Sequence, residues 1–133
     1  MKFSTLVTRS DLSAARKVEP LILAELKRHR YSDEAVFAVR LALEEALANA
    51  VNHGNCRDET KQVQVDYAVN DEQAVIRVTD EGCGFDRHEV PDPTTPENVV
   101  KDHGRGIMLM EAYMSEVNYN AEGNCVEMVK RNE

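Results

Sequence analysis

The chain has 133 residues, about the length of one domain, and a domain of this size buries roughly two thirds of the surface that its unfolded chain would expose. Apolar residues make up 42% and charged residues 30% of the chain, which excludes a disordered protein and indicates a soluble globular domain. The formal net charge of −8 comes from scattered Asp and Glu, and this disfavours direct binding to nucleic acid.

The cysteine content indicates whether the protein is found in a reducing or an oxidising compartment. Three cysteines are an odd number, and they show no CxxC spacing. The sequence also contains no signal peptide and no apolar run of membrane length. We therefore expect a cytoplasmic protein without membrane contact and without a structural metal, since tetrahedral zinc sites need paired ligands. The cysteines are Cys56, Cys83 and Cys125.

The first third of the chain predicts a strand and then a helix. Residues 3–8 alternate as a short strand does, and Ser10-Asp11 supplies the N-cap of a helix that ends near Arg30. Pro20 lies inside the helical pattern, where it either kinks the helix or divides it into two shorter ones. One side of this pattern is apolar: Leu12, Ala15, Val18, Ile22 and Leu26.

A second helix has the most regular pattern in the sequence. Ser32-Asp33 marks its start and Gly54 ends it. Between these positions apolar residues recur at helical spacing: Val36, Val39, Leu43, Ala46, Leu47 and Ala50.

The middle of the chain predicts a β-hairpin with one buried face. Apolar residues alternate along 63–69 and 74–78, on either side of a turn at Asn70-Asp71. Residues 81–103 then hold two glycines and three prolines without a periodic pattern, which favours a functional loop.

The last part of the chain predicts a short helix from about Arg105 to Met114. A closing hairpin follows, with strands at 117–120 and 124–130. Helices and antiparallel strands are thus grouped separately. This grouping predicts an α/β two-layer sandwich (α+β) and not a doubly wound parallel sheet.

A polar face on the second helix is a candidate ligand site. Glu45, Asn49 and Asn52 are spaced i, i+4 and i+7, so they lie on one side of the helix. Asparagine weakens a helix interior, and an ordinary solvated face would carry Lys, Arg and Gln instead. The pattern favours a ligand-binding face, and a solvated face is the alternative. The neighbouring side chains are small or apolar: Leu41, Ala42 and Ala48.

A second candidate lies where the third strand ends, in Asp80-Glu81-Gly82-Cys83-Gly84-Phe85. If the apolar residues of that strand face the helices, Asp80 has the same parity and its carboxylate points inward, where it needs a donor. Gly82 and Gly84 let a ligand or the backbone approach closely. The alternative is a plain strand-ending turn capped by Asp80.

A third candidate is His103-Gly104-Arg105-Gly106-Ile107. Its two glycines precede a helix start and offer backbone N–H groups to an anion. On its own this signal is weak. The sequence has no GxxxxGK[ST] and no GxGxxG, so a P-loop and a dinucleotide-binding fold are excluded.

Taken in order, three segments resemble the N, G1 and G2 boxes of the GHKL ATPases, a superfamily that includes gyrase, Hsp90, histidine kinases and MutL. They are residues 45–54, 80–85 and 104–107. The resemblance covers essentially the whole chain as a single histidine kinase-like domain, 1–133. Within the superfamily, residues 104–117 and the lack of a second domain are most similar to the anti-sigma-factor serine/threonine kinases.

The resemblance implies a Bergerat ATP-binding fold, a mixed but mostly antiparallel sheet covered on one face by helices. It implies that Glu45 is the general base, that Asn49 coordinates Mg²⁺ and that Asp80 accepts a hydrogen bond from the adenine amine. A lid of residues 86–103 would close over the phosphates. The glycines that would shape the nucleotide pocket are Gly82, Gly84, Gly104 and Gly106.

Three positions stay open. Arg105 either reaches a phosphate or faces solvent. His53 accompanies the N box in related sequences, but a histidine near a helix C-terminus also interacts favourably with the helix dipole. The closing hairpin reads Gly123-Asn124-Cys125 where many relatives place a threonine near the adenine, so that contact is not assigned.

For function, the resemblance implies an ATP-dependent serine/threonine protein kinase that also acts as an anti-sigma, partner-switching factor. Its cofactors would be ATP and Mg²⁺. It would transfer the γ-phosphoryl group to a small anti-anti-sigma-type protein and bind a sigma factor, and related proteins often pair as homodimers. The alternative is a nucleotide-dependent binding module that sequesters a sigma factor or another regulator with little or no kinase activity.

Overall fold

A five-stranded sheet forms one layer of the protein. The computed structural model describes residues 1–82 and 110–133. The strand order is β1-β2-β3-β5-β4, and every neighbouring pair in the described chain is antiparallel. Both predicted hairpins are confirmed. The strands are β1 (Ser4–Arg9), β2 (Gln62–Val69), β3 (Gln73–Asp80), β4 (Glu116–Tyr119) and β5 (Cys125–Arg131).

The turn between β2 and β3 is held by one side chain. Asn70 Oδ1 accepts from the backbone N–H groups of Glu72 and Gln73, at 2.8 and 2.9 Å. Asparagine favours such turns because its short amide bonds the backbone two residues on. The turn fixes the register in which Val65 lies opposite Val78, and both side chains are buried.

The predicted first helix is two helices, α1 (Leu12–Ala15) and α2 (Val18–Arg28). Asp11 caps α1 by accepting from the N–H of Ser13 at 3.1 Å. Pro20 is the third residue of α2, where a backbone N–H has no partner within the helix, so the proline costs no hydrogen bond. Of the two alternatives, the break is therefore the one that forms.

The second predicted helix is α3 (Asp33–Asn49), and a π-helical turn (Ala50–Gly54) continues it. Ser32 Oγ caps α3 by accepting from the N–H of Ala35 at 3.0 Å. Such a cap contributes about 0.5–2 kcal/mol. The predicted start and the predicted end at Gly54 are both confirmed.

The core lies between the helices and one face of the sheet. Apolar side chains of α2 and α3 pack on those of β2, β3 and β5, and the predicted two-layer α/β sandwich is confirmed. Fully buried members are Ile22, Leu26, Leu43, Leu47, Val63, Val65, Ile76 and Met128. Of the predicted short helix from Arg105, residues 110–113 are described and are helical, and Met110 belongs to this core.

The other face of the sheet carries paired polar side chains. Arg77 forms an ion pair with Glu127 at 2.6 Å, and its guanidinium lies 4.3 Å from the ring centroid of Phe3. Thr5 donates to Asp66 at 2.5 Å. Among the described residues, the helices therefore cover one face only. None of the helices in 1–82 and 110–133 has the length and apolar character needed to cross a membrane.

Candidate functional site

A cleft opens where the end of α3, the end of β3 and the β4–β5 hairpin meet. Two of the predicted site residues, Asn49 and Asp80, line it together. They are 31 positions apart in the sequence, and the packing of α3 on the sheet brings them to one place. Other residues of its wall are Ala46, His53, Gly54, Tyr119 and Asn124.

Asp80 is the last residue of β3, and its side chain is buried, with 8% of the residue exposed. It lies on the same face as Ile76 and Val78, so the inward parity that the sequence predicts is confirmed. Its Oδ1 also accepts from the N–H of Gly82 at 2.8 Å. The inward carboxylate and the strand-ending turn, offered as alternatives by the sequence, are thus present together.

Gly54 has a role that the sequence interpretation missed. A methyl group on this residue would lie 2.1 Å from Asp80 Oδ2 and 2.3 Å from Asp80 Cγ, far inside van der Waals contact. The sequence predicts that Gly54 ends the helix, and the family resemblance places it last in the first of the three boxes. The structure shows that the glycine also makes room for the carboxylate.

Asn49 is the last residue of α3, and the π-helical turn begins directly after it. The α-helical spacing predicts Asn52 on the same face as Asn49. That prediction is wrong for the cleft: among the described residues His53 lines it and Asn52 does not. The residues of this stretch that do line the cleft, Ala46, Asn49, Ala50 and His53, are spaced i, i+3, i+4 and i+7, so the side that faces the cleft is turned one position away from Glu45 and Asn52.

Glu45 lies one helical turn before Asn49 on α3 and is half-buried. It is not among the described side chains that line the cleft, where Ala46 takes the neighbouring place. The expectation that Ala42 flanks the polar face is wrong, because Ala42 is fully buried in the core. The apolar side of α3 is therefore wider than the sequence pattern indicates.

The chain beyond β3 is held from both sides. The N–H of Asp80 donates to the carbonyl of Asn124 at 2.8 Å, and Asn124 Nδ2 donates to the carbonyl of Asp80 at 3.2 Å. Gly82 adopts a φ of 82°, and the space beside its Cα is open. Glycine is needed there because side chains disfavour this backbone conformation. The carbonyl of Gly82 accepts from Lys61 Nζ.

The remaining predicted site residues lie outside the described residues. They are Gly84, Gly104, Arg105 and Gly106, together with the lid of residues 86–103. Their assigned roles stay predictions.

Comparison of the sequence with known proteins identifies the family of the chain. A family model described as the histidine kinase-like ATPase domain matches residues 8–130. Serine-protein kinase RsbW of Bacillus licheniformis is 35% identical over 107 residues, which cover 75% of this chain and 67% of that protein. The proteins of the same name from Listeria monocytogenes and Bacillus subtilis are 31% and 32% identical over 110 residues, 77% of this chain and 70% and 69% of theirs.

A solved structure shows the same fold. The RsbU and RsbW domains of a Mycobacterium tuberculosis protein match with a TM-score of 0.66 at 18% identity, over 100% of this chain and 32% of that one. The chain therefore belongs to the histidine kinase-like ATPase family and, within it, to the serine-protein kinases of the RsbW type. The family resemblance that the three boxes indicate is confirmed.

Proposed function

We propose that the protein is an ATP-dependent serine/threonine protein kinase and an anti-sigma, partner-switching factor. The observation that carries the proposal is the meeting of Asn49 and the buried Asp80 in one cleft. A carboxylate is suited to accept a hydrogen bond from the base of ATP, and an amide oxygen is suited to bind the Mg²⁺ on its phosphates. The relatives named serine-protein kinase support the same reaction.

Asp80 is proposed to bind the base of ATP. An ionised carboxylate offers about four lone-pair sites, so it can accept from the N–H of Gly82 and from a ligand amine as well. Burial strengthens such a contact, because a hydrogen bond is less screened away from water. The adenine amine is a donor that this carboxylate can accept.

Asn49 is proposed to hold Mg²⁺. Its amide oxygen is a hard ligand at the wall of the cleft, and Mg²⁺ takes one or two protein ligands together with substrate phosphates and water. The donor set thus fits the ion. When bound, Mg²⁺ would neutralise charge on the phosphates.

Glu45 is proposed to be the general base of the transfer. It would take the proton of a partner hydroxyl, whose oxygen bonds to the γ-phosphorus while the bond from that phosphorus to the β–γ bridging oxygen breaks. The products are a phosphorylated partner and ADP. The position of Glu45 one turn before Asn49 supports this role, since a hydroxyl that approaches phosphates held at Asn49 would come near this carboxylate.

The partners are proposed to be proteins. The substrate would be a small anti-anti-sigma-type protein with an exposed serine or threonine, and a sigma factor would be a second partner, bound in the cytoplasm by a monomer or a homodimer. The net charge of −8 disfavours direct contact with nucleic acid.

The substitution Asp80→Asn tests the nucleotide assignment. Loss of a charge-assisted buried hydrogen bond should weaken ATP binding about tenfold to a hundredfold. Calorimetric titration measures the affinity and circular dichroism checks the fold. Asp66→Asn, the same change on the opposite face of the sheet, is the matched control. Unchanged ATP affinity in folded Asp80→Asn contradicts the assignment.

A further inference from the structure

Asn55 follows the π-helical turn and is fully buried, with 0% exposed. Its Nδ2 donates to Ser10 Oγ and to the carbonyl of Gln62, both at 3.0 Å. Its Oδ1 accepts from the backbone N–H of Glu81 at 2.8 Å. One carboxamide therefore ties the chain after β1, the start of β2 and the chain after β3 to the end of the helix layer.

The bond to Glu81 acts on Asp80. The N–H of Glu81 and the carbonyl of Asp80 belong to the same planar peptide unit, so fixing one fixes the other. The carbonyl end of that unit accepts from Asn124 Nδ2 at 3.2 Å. Asn55 and Asn124 thus hold the two ends of one peptide, and this restricts rotation of the backbone at Asp80.

This restriction matters because the carboxylate has little freedom. On one side a methyl group at position 54 would overlap it, so Asp80 lies directly against the Gly54 backbone. The same peptide leads to Gly82, whose N–H donates to Asp80 Oδ1 at 2.8 Å, so a rotation of the peptide after Asp80 would move this donor and turn the carboxylate. The direction in which the carboxylate faces the cleft is therefore coupled to Asn55.

We infer that Asn55 is a positioning residue for recognition of the nucleotide base, acting through the Asp80–Glu81 peptide. The inference rests on the proposed function, in which Asp80 accepts from the adenine amine. Among the described residues Asn55 does not line the cleft. It therefore affects the choice of base without contacting it.

The side-chain chemistry supports asparagine at this position. The carboxamide donates in two directions and accepts in a third, and it satisfies a hydroxyl, a carbonyl and an N–H at once. An aspartate would supply no donor to Ser10 or Gln62. An alanine would leave the N–H of Glu81 without this acceptor, so the peptide would be free to turn.

The test compares two nucleotides that differ by one amine. Binding of ATP and of purine riboside triphosphate, which lacks the 6-amino group, is measured by calorimetry for the wild type, Asn55→Ala and Ser10→Ala. Ser10→Ala is the matched control, because it removes a buried hydrogen bond from the same cluster and leaves the Glu81 contact in place.

The wild type is expected to prefer ATP by about tenfold or more. Asn55→Ala should reduce this preference by at least about threefold, while Ser10→Ala keeps it within about twofold of the wild type. If Asn55→Ala does not fold, Asn55→Ser takes its place, since its hydroxyl can bond within the cluster but cannot reach all three partners. The same reduction is expected.

Two results would overturn the inference in different ways. A folded position-55 variant that keeps the wild-type preference, or that loses both nucleotides equally, shows that Asn55 is only structural. A wild-type protein that binds both nucleotides equally shows that no adenine amine contact exists, and the base assignment of Asp80 then fails together with the inference.

Discussion

At the scale of single residues, the proposed nucleotide site depends on how closely Gly54 approaches Asp80. The structure leaves no space for a methyl group at position 54, which would lie 2.1 Å from Asp80 Oδ2. Asp80 cannot easily retreat, because its N–H and its carbonyl both bond Asn124. A larger residue at position 54 must therefore move the carboxylate or the π-helical turn.

We predict that Gly54→Ala destabilises the protein by about 1–3 kcal/mol, the usual cost of overpacking, and weakens ATP binding. Thermal unfolding and calorimetric titration measure the two effects. In an Asp80→Ala background the clash is gone, and the same substitution should be neutral or stabilising, because alanine favours helix over glycine. An equal loss of stability in both backgrounds contradicts this account.

Asn49 offers a second prediction at this scale. Asn49→Ala should lose the part of the ATP affinity that depends on Mg²⁺, since the amide oxygen is the proposed ligand. Titrations with ATP in the presence and absence of Mg²⁺ measure it. Asn52→Ala is the matched control, as the neighbouring asparagine does not line the described cleft. If Mg²⁺ strengthens binding equally in Asn49→Ala and the wild type, Asn49 is not the ligand.

The sequence predicts some of these residues and misses others for a physical reason. Asp80 is predictable because strand parity continues from Ile76 and Val78, a local property of β3. The roles of Gly54 and Asn55 depend on contacts with residues 80 and 81, which are more than 20 positions away. No local pattern carries such a contact. The only signal is that Gly54 ends the first of the three boxes.

At the scale of elements, the helix layer holds a pair of acidic side chains in contact. Glu19 of α2 is buried, with 8% exposed. Burial, and then the hydrogen bond and charge of Glu44 on α3, raise the pKa of Glu19 to about 7, while Arg16 and Arg40 oppose the rise. In the folded protein Glu19 therefore keeps its proton up to about neutral pH.

This pair predicts a pH dependence of stability. The pKa of Glu19 is raised in the folded state. The contribution of this residue to the free energy of unfolding is therefore greatest below its ordinary pKa of 4.5, and it is lost as the pH rises through about 7. Glu19→Gln carries no proton to lose. It should be about 1–3 kcal/mol more stable than the wild type at pH 8 and nearly equal at pH 4.5.

Chemical denaturation at the two pH values measures this difference. Glu59→Gln, an exposed position in the turn before β2, is the control and should show no such change. A gain in stability for Glu19→Gln that is the same at both pH values would show that the effect is packing and not ionisation.

The elements were predictable to the extent that their patterns are local. Alternation in β2 and β3, and helical spacing in α3, predict those elements within one or two residues. Pro20 fits both a kinked helix and a new helix start, so the sequence could not choose. The π-helical turn was not predictable, because the residues of Ala50–Gly54 also satisfy α-helical spacing. Which side of this stretch faces the cleft depends on its packing against the sheet, so the spacing alone could not exclude Asn52.

At the scale of the whole molecule, the cleft is a product of the tertiary fold. Its wall comes from the end of α3, the end of β3 and the β4–β5 hairpin, which are far apart in sequence. The antiparallel sheet brings them together because β5 pairs with β3 and carries the hairpin to the same edge as Asp80. Family membership follows from this arrangement together with the relatives.

The central claim is that the cleft transfers phosphate to a protein. The most direct measurement mixes the protein with ATP, Mg²⁺ and its binding partner and follows the phosphorylated partner by mass spectrometry. We predict that the wild type phosphorylates a serine or threonine of the partner. Glu45→Ala should keep the ATP affinity and transfer about 10²- to 10⁴-fold more slowly, with Glu34→Ala as control. Transfer by Glu45→Ala at the wild-type rate would show that the base is another residue. A wild-type protein that binds the partner and ATP but never phosphorylates the partner contradicts the claim and leaves a nucleotide-dependent binding module.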